Sequence, residues 1–237
     1  MGHLSSADLA SLAQAQAHLR AGESPQAEAI YRHVLEIDPA CAEAWQALGN
    51  ILTGQRRLDE AERSYRAALA LETADAPVIL SNLGNVLKDL GRAADSETVY
   101  REAIRLRPEF PEALTNLGNL LGDLDRREEA AECCRAAIRY RPDLPEAHNN
   151  LGNLLRAMAR FEESEASCRE AIRLRPGYLS ALNNLGNALR DQGRFAEAEE
   201  CYRETVRLKP DYVEAQQQLQ ANPFAQQQAF TPATSRQ

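Results

Sequence analysis

Aromatic residues make up only 5% of this chain of 237 residues, and lysine occurs just twice, at Lys88 and Lys209. So few aromatics suit an interior of leucine and alanine rather than a deep core built on large rings. No apolar run approaches the ~20 residues needed to cross a bilayer, so no membrane span is expected. The first residues lack a basic stretch followed by an apolar core, so no secretory signal is expected. The first six residues, Met1-Gly2-His3-Leu4-Ser5-Ser6, match an acylation pattern, but no basic cluster follows to support anchoring. There is no phosphate loop, no nucleophile elbow and no His-Glu-x-x-His, so an active site in this chain is not expected. No Cys-x-x-Cys occurs and the four histidines are scattered, which excludes zinc-ligand spacing; no metal or other cofactor is expected. The formal charge of −8, from 27 basic and 35 acidic residues, disfavours a nucleic-acid partner.

What is present is a period. Leu117-Gly118-Asn119-Leu120-Leu121 recurs as Leu151-Gly152-Asn153-Leu154-Leu155 and again as Leu185-Gly186-Asn187-Ala188-Leu189, each 34 residues on. Self-similarity at this interval means one supersecondary unit stacked on copies of itself, a solenoid rather than a closed globule. With Leu-Gly at positions 7 and 8, the repeats are 8–41, 42–76, 77–110, 111–144, 145–178 and 179–212. The second has 35 residues, and its junction, Thr73 to Pro77, lacks the proline that closes the others. Residues 213–221 begin a seventh copy and read as a capping helix. The solenoid thus spans 8–221, between an N-terminal extension (1–7) and a polar tail (222–237) without a helical stripe, read as flexible.

Each recurrent residue has a mechanical reason. Apolar positions 4, 7 and 11 form the stripe of a first helix, A. Positions 24, 28 and 30, such as Tyr100, Ile104 and Leu106, supply the apolar side of a second helix, B. Glycine at 8 and alanine at 20 and 27 let the two helices approach closely. Gly22, Gly91 and Gly193 stand where helix A should end in a left-handed cap. Pro39, Pro108, Pro142, Pro176 and Pro210 then stop helix B, and Pro77, Pro111 and Pro145 fit the first turn of the next A. Polar substitutions at the two ends, Gln14 in the leucine slot and Gln216 in the aromatic slot, suit exposed solenoid ends.

Trp45, Leu48, Gly49, Leu52, Ala61, Tyr65 and Ala68 carry the tetratricopeptide signature W-x2-L-G-x2-Y, A-x3-F, A in the second repeat. Leu83, Gly84, Leu87, Tyr100, Ala103 and Pro108 carry it in the third, with Ser96 in the small slot. The chain therefore resembles tetratricopeptide-repeat (TPR) proteins over 8–221. That resemblance implies an all-α fold of antiparallel helix pairs wound into a right-handed superhelix, with helix A on the concave wall. Cys134 and Cys168 take the aromatic slot in the fourth and fifth repeats.

Those two cysteines occupy equivalent slots of successive repeats, and packed helices lie 8–10 Å apart, beyond disulfide reach. With Cys41, Cys133 and Cys201 they read as reduced thiols, with a cytoplasmic location as the corollary. Arginine recurs at position 25, and Glu28, Glu62, Glu97, Glu165 and Glu199 precede it by four residues. That order suits exposed i,i+4 pairs on an outer face.

Asparagine is the remaining signal. Position 6 reads Asn82, Asn116, Asn150 and Asn184; position 9 reads Asn50, Asn85, Asn119, Asn153 and Asn187; Asn149 and Asn183 add position 5. These positions share a stripe on helix A, so stacking predicts ladders of amides, each both donor and acceptor. Two readings stand side by side: contact with the backbone of an extended peptide, or bonding to the neighbouring repeat. The ladder resembles the repeat array of O-linked N-acetylglucosamine transferases, in which inner asparagines hold substrate chains. The branch of the family that grips C-terminal carboxylates with basic residues at positions 2, 5 or 6 does not fit, because Glu43, Glu112 and Glu146 occupy position 2. The sequence thus reads as a non-catalytic interaction scaffold for a protein or peptide, with Asn82, Asn85, Asn116, Asn119, Asn149, Asn150, Asn153, Asn183, Asn184 and Asn187 as its contacts. Two alternatives stay open: the substrate-recognition repeats of a larger enzyme such as a glycosyltransferase, and a self-assembly module in which the tail mediates association.

Overall fold

The computed structural model describes residues 6–221, and among these there are thirteen helices and no strand. Residues 1–5 of the N-terminal acylation pattern and the 222–237 tail lie outside the described residues. The chain divides into two compact units, 1–116 and 117–237.

In the first unit, α1 (Ser6–Arg20), α2 (Ser24–Ile37), α3 (Ala42–Gly54), α4 (Leu58–Leu69), α5 (Ala76–Asp89) and α6 (Ala93–Leu106) pack in sequence order. In addition α3 touches α5, helix A against the next helix A. The dividing point falls within α7 (Pro111–Asp123). The second unit continues with α8 (Arg127–Tyr140), α9 (Pro145–Ala157), α10 (Phe161–Leu174), α11 (Leu179–Asp191), α12 (Phe195–Leu208) and α13 (Val213–Ala221). From α8 onward it has the same order of packing, with α9 against α11.

The glycines at position 8 sit where the two helices of a repeat cross. A β-carbon on Gly84 would stand 2.4 Å from Tyr100 Cε1, and one on Gly152 would stand 2.5 Å from Cys168 Sγ. Gly118 and Gly186 face Cys134 and Tyr202 in the same way. Where serine replaces alanine at position 20, its hydroxyl bonds across the same crossing: Ser96 donates to Gly84 O and Ser164 to Gly152 O, both at 2.7 Å.

Helix A ends as expected at Gly22, Gly91 and Gly193, with φ of +78°, +76° and +80°. The next N–H reaches back to the position-11 carbonyl, as Arg92 does to Leu87 O at 2.8 Å, closing a Schellman turn. Arg56, Asp125 and Ala159 occupy the equivalent position with φ of 61°, 61° and 58°. There the chain adopts the left-handed conformation without the residue best suited to it.

One expectation for helix B needs correction. Tyr100 is fully buried, but Leu106 is 44% exposed, as are Ile37, Tyr140 and Leu208 to similar degrees. Position 30 lies at the last turn of helix B, past the crossing. The inward face is made by positions 20, 24 and 27 instead, as with Ser96, Tyr100 and Ala103, all at 0% exposure.

Candidate functional site

Charge pairs recur on helix B and its first turn, beside helix A pairs such as Arg156–Asp191. The predicted i,i+4 pairs form: Arg32–Glu28, Arg66–Glu62, Arg101–Glu97, Arg169–Glu165 and Arg203–Glu199. A second arginine, at position 16, carries a link that the sequence did not announce. Arg57 binds Glu60 within its own repeat and Glu28 of the preceding one, and Arg92 binds Asp95 and Glu62 likewise. Arg194 repeats the arrangement with Glu197 and Glu165. Arg160 has Glu163 but meets Ala131 where the others meet glutamate. Hydrogen bonding from Arg57 draws Glu60 down to about 2. Burial pulls Glu165 upward, but hydrogen bonds from Arg169, Gln192 and Arg194 outweigh it and leave the carboxyl below its ordinary value.

The aromatic slot at position 4 also has a role beyond apolar packing. Trp45 Nε1 donates to Pro39 O at 2.9 Å, His148 Nε2 lies 2.8 Å from Pro142 O, and Gln216 Nε2 donates to Pro210 O at 2.5 Å. Each reaches the carbonyl that follows the previous helix B. The shared feature is a nitrogen at the right reach, and Gln216 at the capping helix retains it.

On helix A, the structure assigns different surroundings to the predicted asparagines. At position 9 of the tyrosine repeats the amide oxygen is engaged from below. Tyr65 Oη donates to Asn50 Oδ1 at 2.8 Å, Tyr100 Oη to Asn85 Oδ1 at 2.6 Å, and Tyr202 Oη to Asn187 Oδ1 at 2.9 Å. At position 6 the amide nitrogen reaches the preceding repeat. Asn82 donates to Asn50 Oδ1 (3.1 Å), Asn116 to Ser81 Oγ (3.5 Å) and Asn184 to Asn149 Oδ1 (3.0 Å). Asn149 and Asn183 at position 5 are buried, and Asn149 also donates to Asn150 Oδ1 at 3.3 Å.

Six of the predicted asparagines border two hollows. In the first unit Asn82, Asn85 and Asn116 line a depression of about 620 Å³ with Arg107 and Phe110. The Arg107 guanidinium stacks 5.1 Å from the Phe110 ring centroid. In the second unit Asn119, Asn150 and Asn153 line a smaller hollow of about 110 Å³ with Gly122, Asp123 and Arg127. Asn184 and Asn187 line neither of these. Arg107, Phe110, Asp123 and Arg127 were not singled out from the sequence. The Arg107–Phe110 spacing returns as Arg175–Tyr178, whose guanidinium lies 4.8 Å from its ring centroid, so registering positions 31 and 34 would have found the stack.

No disulfide joins the five cysteines. Burial pushes Cys134 and Cys168 each up to about 12, and Cys201 up to about 11. No group of three metal-binding side chains converges among the described residues.

This architecture is that of a repeat solenoid with a polar, amide-lined helix A face. Models of the tetratricopeptide repeat match residues 12–77, 111–144 and 143–211, and a TPR repeat model matches 84–125. The chain belongs to the tetratricopeptide-repeat family. It is 33% identical over 85 residues to the Protein O-mannosyl-transferase Tmtc2 of Drosophila melanogaster, a match covering 34% of this chain and 9% of that protein. The chain thus spans under a tenth of that relative's length. Among solved structures, the Cut9–Hcn1 hetero-tetramer of the APC/C aligns with a TM-score of 0.82 at 16% identity, over 91% of this chain and 42% of that one. YrrB, a TPR protein with an unusual peptide-binding site, aligns at 0.60 and 20% identity, over 79% of this chain and 96% of that one. At these identities the structural likenesses establish the fold. No helix among the described residues is long and apolar enough to cross a membrane.

Proposed function

We propose that the chain is a non-catalytic scaffold that binds an extended peptide on the helix A face of its second unit, within a reducing compartment such as the cytoplasm. The observation that carries this reading is the group Asn119, Asn150 and Asn153. Asn119 and Asn153 are exposed, Asn150 is half-buried, and all three border one hollow. An amide at the surface offers a donor and an acceptor, which is what a peptide backbone needs. Asn184 and Asn187, bonded to Asn149 and Tyr202, act in this reading as supports that fix the wall beside the binding amides. The peptide-binding site of YrrB lends the reading support from the same fold.

The test selects linear peptides from a random phage-displayed library on the full chain. Affinities are then measured on the parent and on Asn119→Ala/Asn150→Ala/Asn153→Ala. Each hydrogen bond contributes about 0.5–1.5 kcal/mol, so the triple variant should bind about tenfold to a thousandfold more weakly. Its melting temperature should be nearly retained. Undiminished affinity in the folded triple variant would refute the reading, as would failure to select any peptide.

A second reading, substrate recognition for a larger enzyme, draws on the likeness to Tmtc2. Co-purification of this chain, as a fusion or in trans, with a glycosyltransferase activity would favour it.

A further inference from the structure

We propose that the hollow bordered by Asn119, Asn150 and Asn153 takes one side chain of the bound peptide, the carboxamide of a glutamine or asparagine. This deepens the peptide reading above and rests on it.

The shape of the hollow follows from comparison with the second repeat. There, four positions converge on one point. Tyr65 passes under Gly49, its hydroxyl donates to Asn50 Oδ1, and it lies 3.3 Å from Thr53 Oγ1. From the next repeat, Asn82 donates to the same Asn50 oxygen. The corresponding positions of the fourth repeat are Cys134, Gly118, Asn119 and Gly122, with Asn150 arriving from the fifth. Cys134 reaches Gly118, its Sγ 2.9 Å from where a β-carbon would stand, and goes no further. Gly122 has no side chain where Thr53 carries a hydroxyl. Two polar groups that complete the arrangement in the second repeat are thus absent, and Asn119, Gly122 and Asn150 border the space.

Chemistry then selects the occupant. Asp123 and Arg127 border the hollow with opposite charges, so neither an anion nor a cation gains from both. An apolar side chain would cover amides without bonding them, which is unfavourable. A carboxamide is neutral, carries two donors and an oxygen acceptor, and bonds readily to other amides. A volume of about 110 Å³ holds such a group together with water.

The experiment uses the isotope-labelled full chain and alanine-based host peptides that differ at one central residue: glutamine, its apolar near-isostere methionine, or glutamate. Side-chain amide resonances of Asn119, Asn150 and Asn153 are followed during titration. The expected result is that the glutamine peptide binds about tenfold more tightly than the other two, the scale of a hydrogen-bonded amide pair gained in the hollow. In Gly122→Thr, which returns a side chain to the hollow and needs only the Leu154 side chain, 3.0 Å from the new β-carbon, to give way, the three peptides should bind alike. Cys134→Tyr should do the same from beneath, and the threonine variant decides the matter if the tyrosine variant fails to fold. Equal binding of all three peptides to the parent, lost in the triple asparagine variant, would overturn the side-chain pocket while leaving backbone recognition intact. Retained glutamine preference in folded Gly122→Thr would overturn the pocket as placed. An absence of shifts with every peptide would overturn both readings.

Discussion

The second and third repeats, and the fourth and fifth, are built to the same plan but finished differently. In the former a tyrosine runs under the position-8 glycine and ties the position-9 asparagine from below. In the latter a cysteine stops at the glycine and leaves the asparagine to other partners. The arginine link between repeats is uneven in its own way. Arg57 and Arg92 each clasp a glutamate of the preceding repeat, whereas Arg160 faces Ala131. Asn50 and Asn85 are nonetheless exposed like Asn119 and Asn153, so the difference lies in the tyrosine bond from below and not in access to the surface. A tyrosine crossing buries a ring and ties the amide above it, whereas a cysteine crossing ends at the glycine.

The comparison is broken most severely by giving the tyrosine region a cysteine. Tyr100→Cys removes a fully buried ring and its bond to Asn85. A loss of about 3–5 kcal/mol is expected from urea unfolding, in line with other large-to-small changes at buried aromatics. Next in size is Gly84→Leu, which drives a side chain into the Tyr100 ring and should cost about 1–3 kcal/mol. A variant that melts like its parent would show that helices α5 and α6 do not cross at this glycine.

A smaller effect sharpens the contrast in the other direction. Ala159→Gly relieves a left-handed turn at φ 58° and should stabilise the fold by about 1 kcal/mol. The smallest expected change is Ala131→Glu, which supplies the missing clasp for Arg160 where a hollow lined by both residues gives it room. A gain of at most about 1 kcal/mol is expected for such a partly exposed pair. This gain should depend on pH in a defined sense. Bridged carboxyls such as Glu60 and Glu165 have folded-state values below their ordinary 4.5. Their contribution is therefore complete above that pH and is lost as pH falls through the lowered value, near 2 for Glu60. Urea midpoints for the Ala131→Glu variant and its parent should accordingly converge on acidification and stay apart at neutral pH.

The helix pairs and their crossing glycines were legible in the sequence because they answer to spacing alone. A period of 34 residues with Gly84, Gly118, Gly152 and Gly186 in register leaves one way for the two helices to meet. The exposure of Leu106 was not legible, since an apolar residue at the right angle along helix B still lies beyond the end of the contact. The left-handed turns at Arg56, Asp125 and Ala159 were hidden for a related reason: the surrounding helices impose a conformation that those residues do not advertise. For the candidate site, the asparagine positions could be read, but which amides a tyrosine hydroxyl reaches from below could not. That depends on how far the side chain at position 24 reaches, which needs the path of the ring under the glycine. The tyrosine-to-cysteine exchange was plain in the sequence, whereas the hollow it leaves required the neighbouring repeat.

The nitrogen at position 4 has a wider consequence. Indole, imidazole and carboxamide all meet the carbonyl beyond the preceding helix B, at Pro39, Pro142 and Pro210. The joint therefore works as a standard coupling, indifferent to the ring or chain that presents the donor. As far as this bond goes, a repeat bearing any such group can follow any repeat ending in this carbonyl, whereas the arginine clasp needs its glutamate on the other side. A joint of this kind suits an array whose stability is a sum of repeats and their nearest-neighbour interfaces.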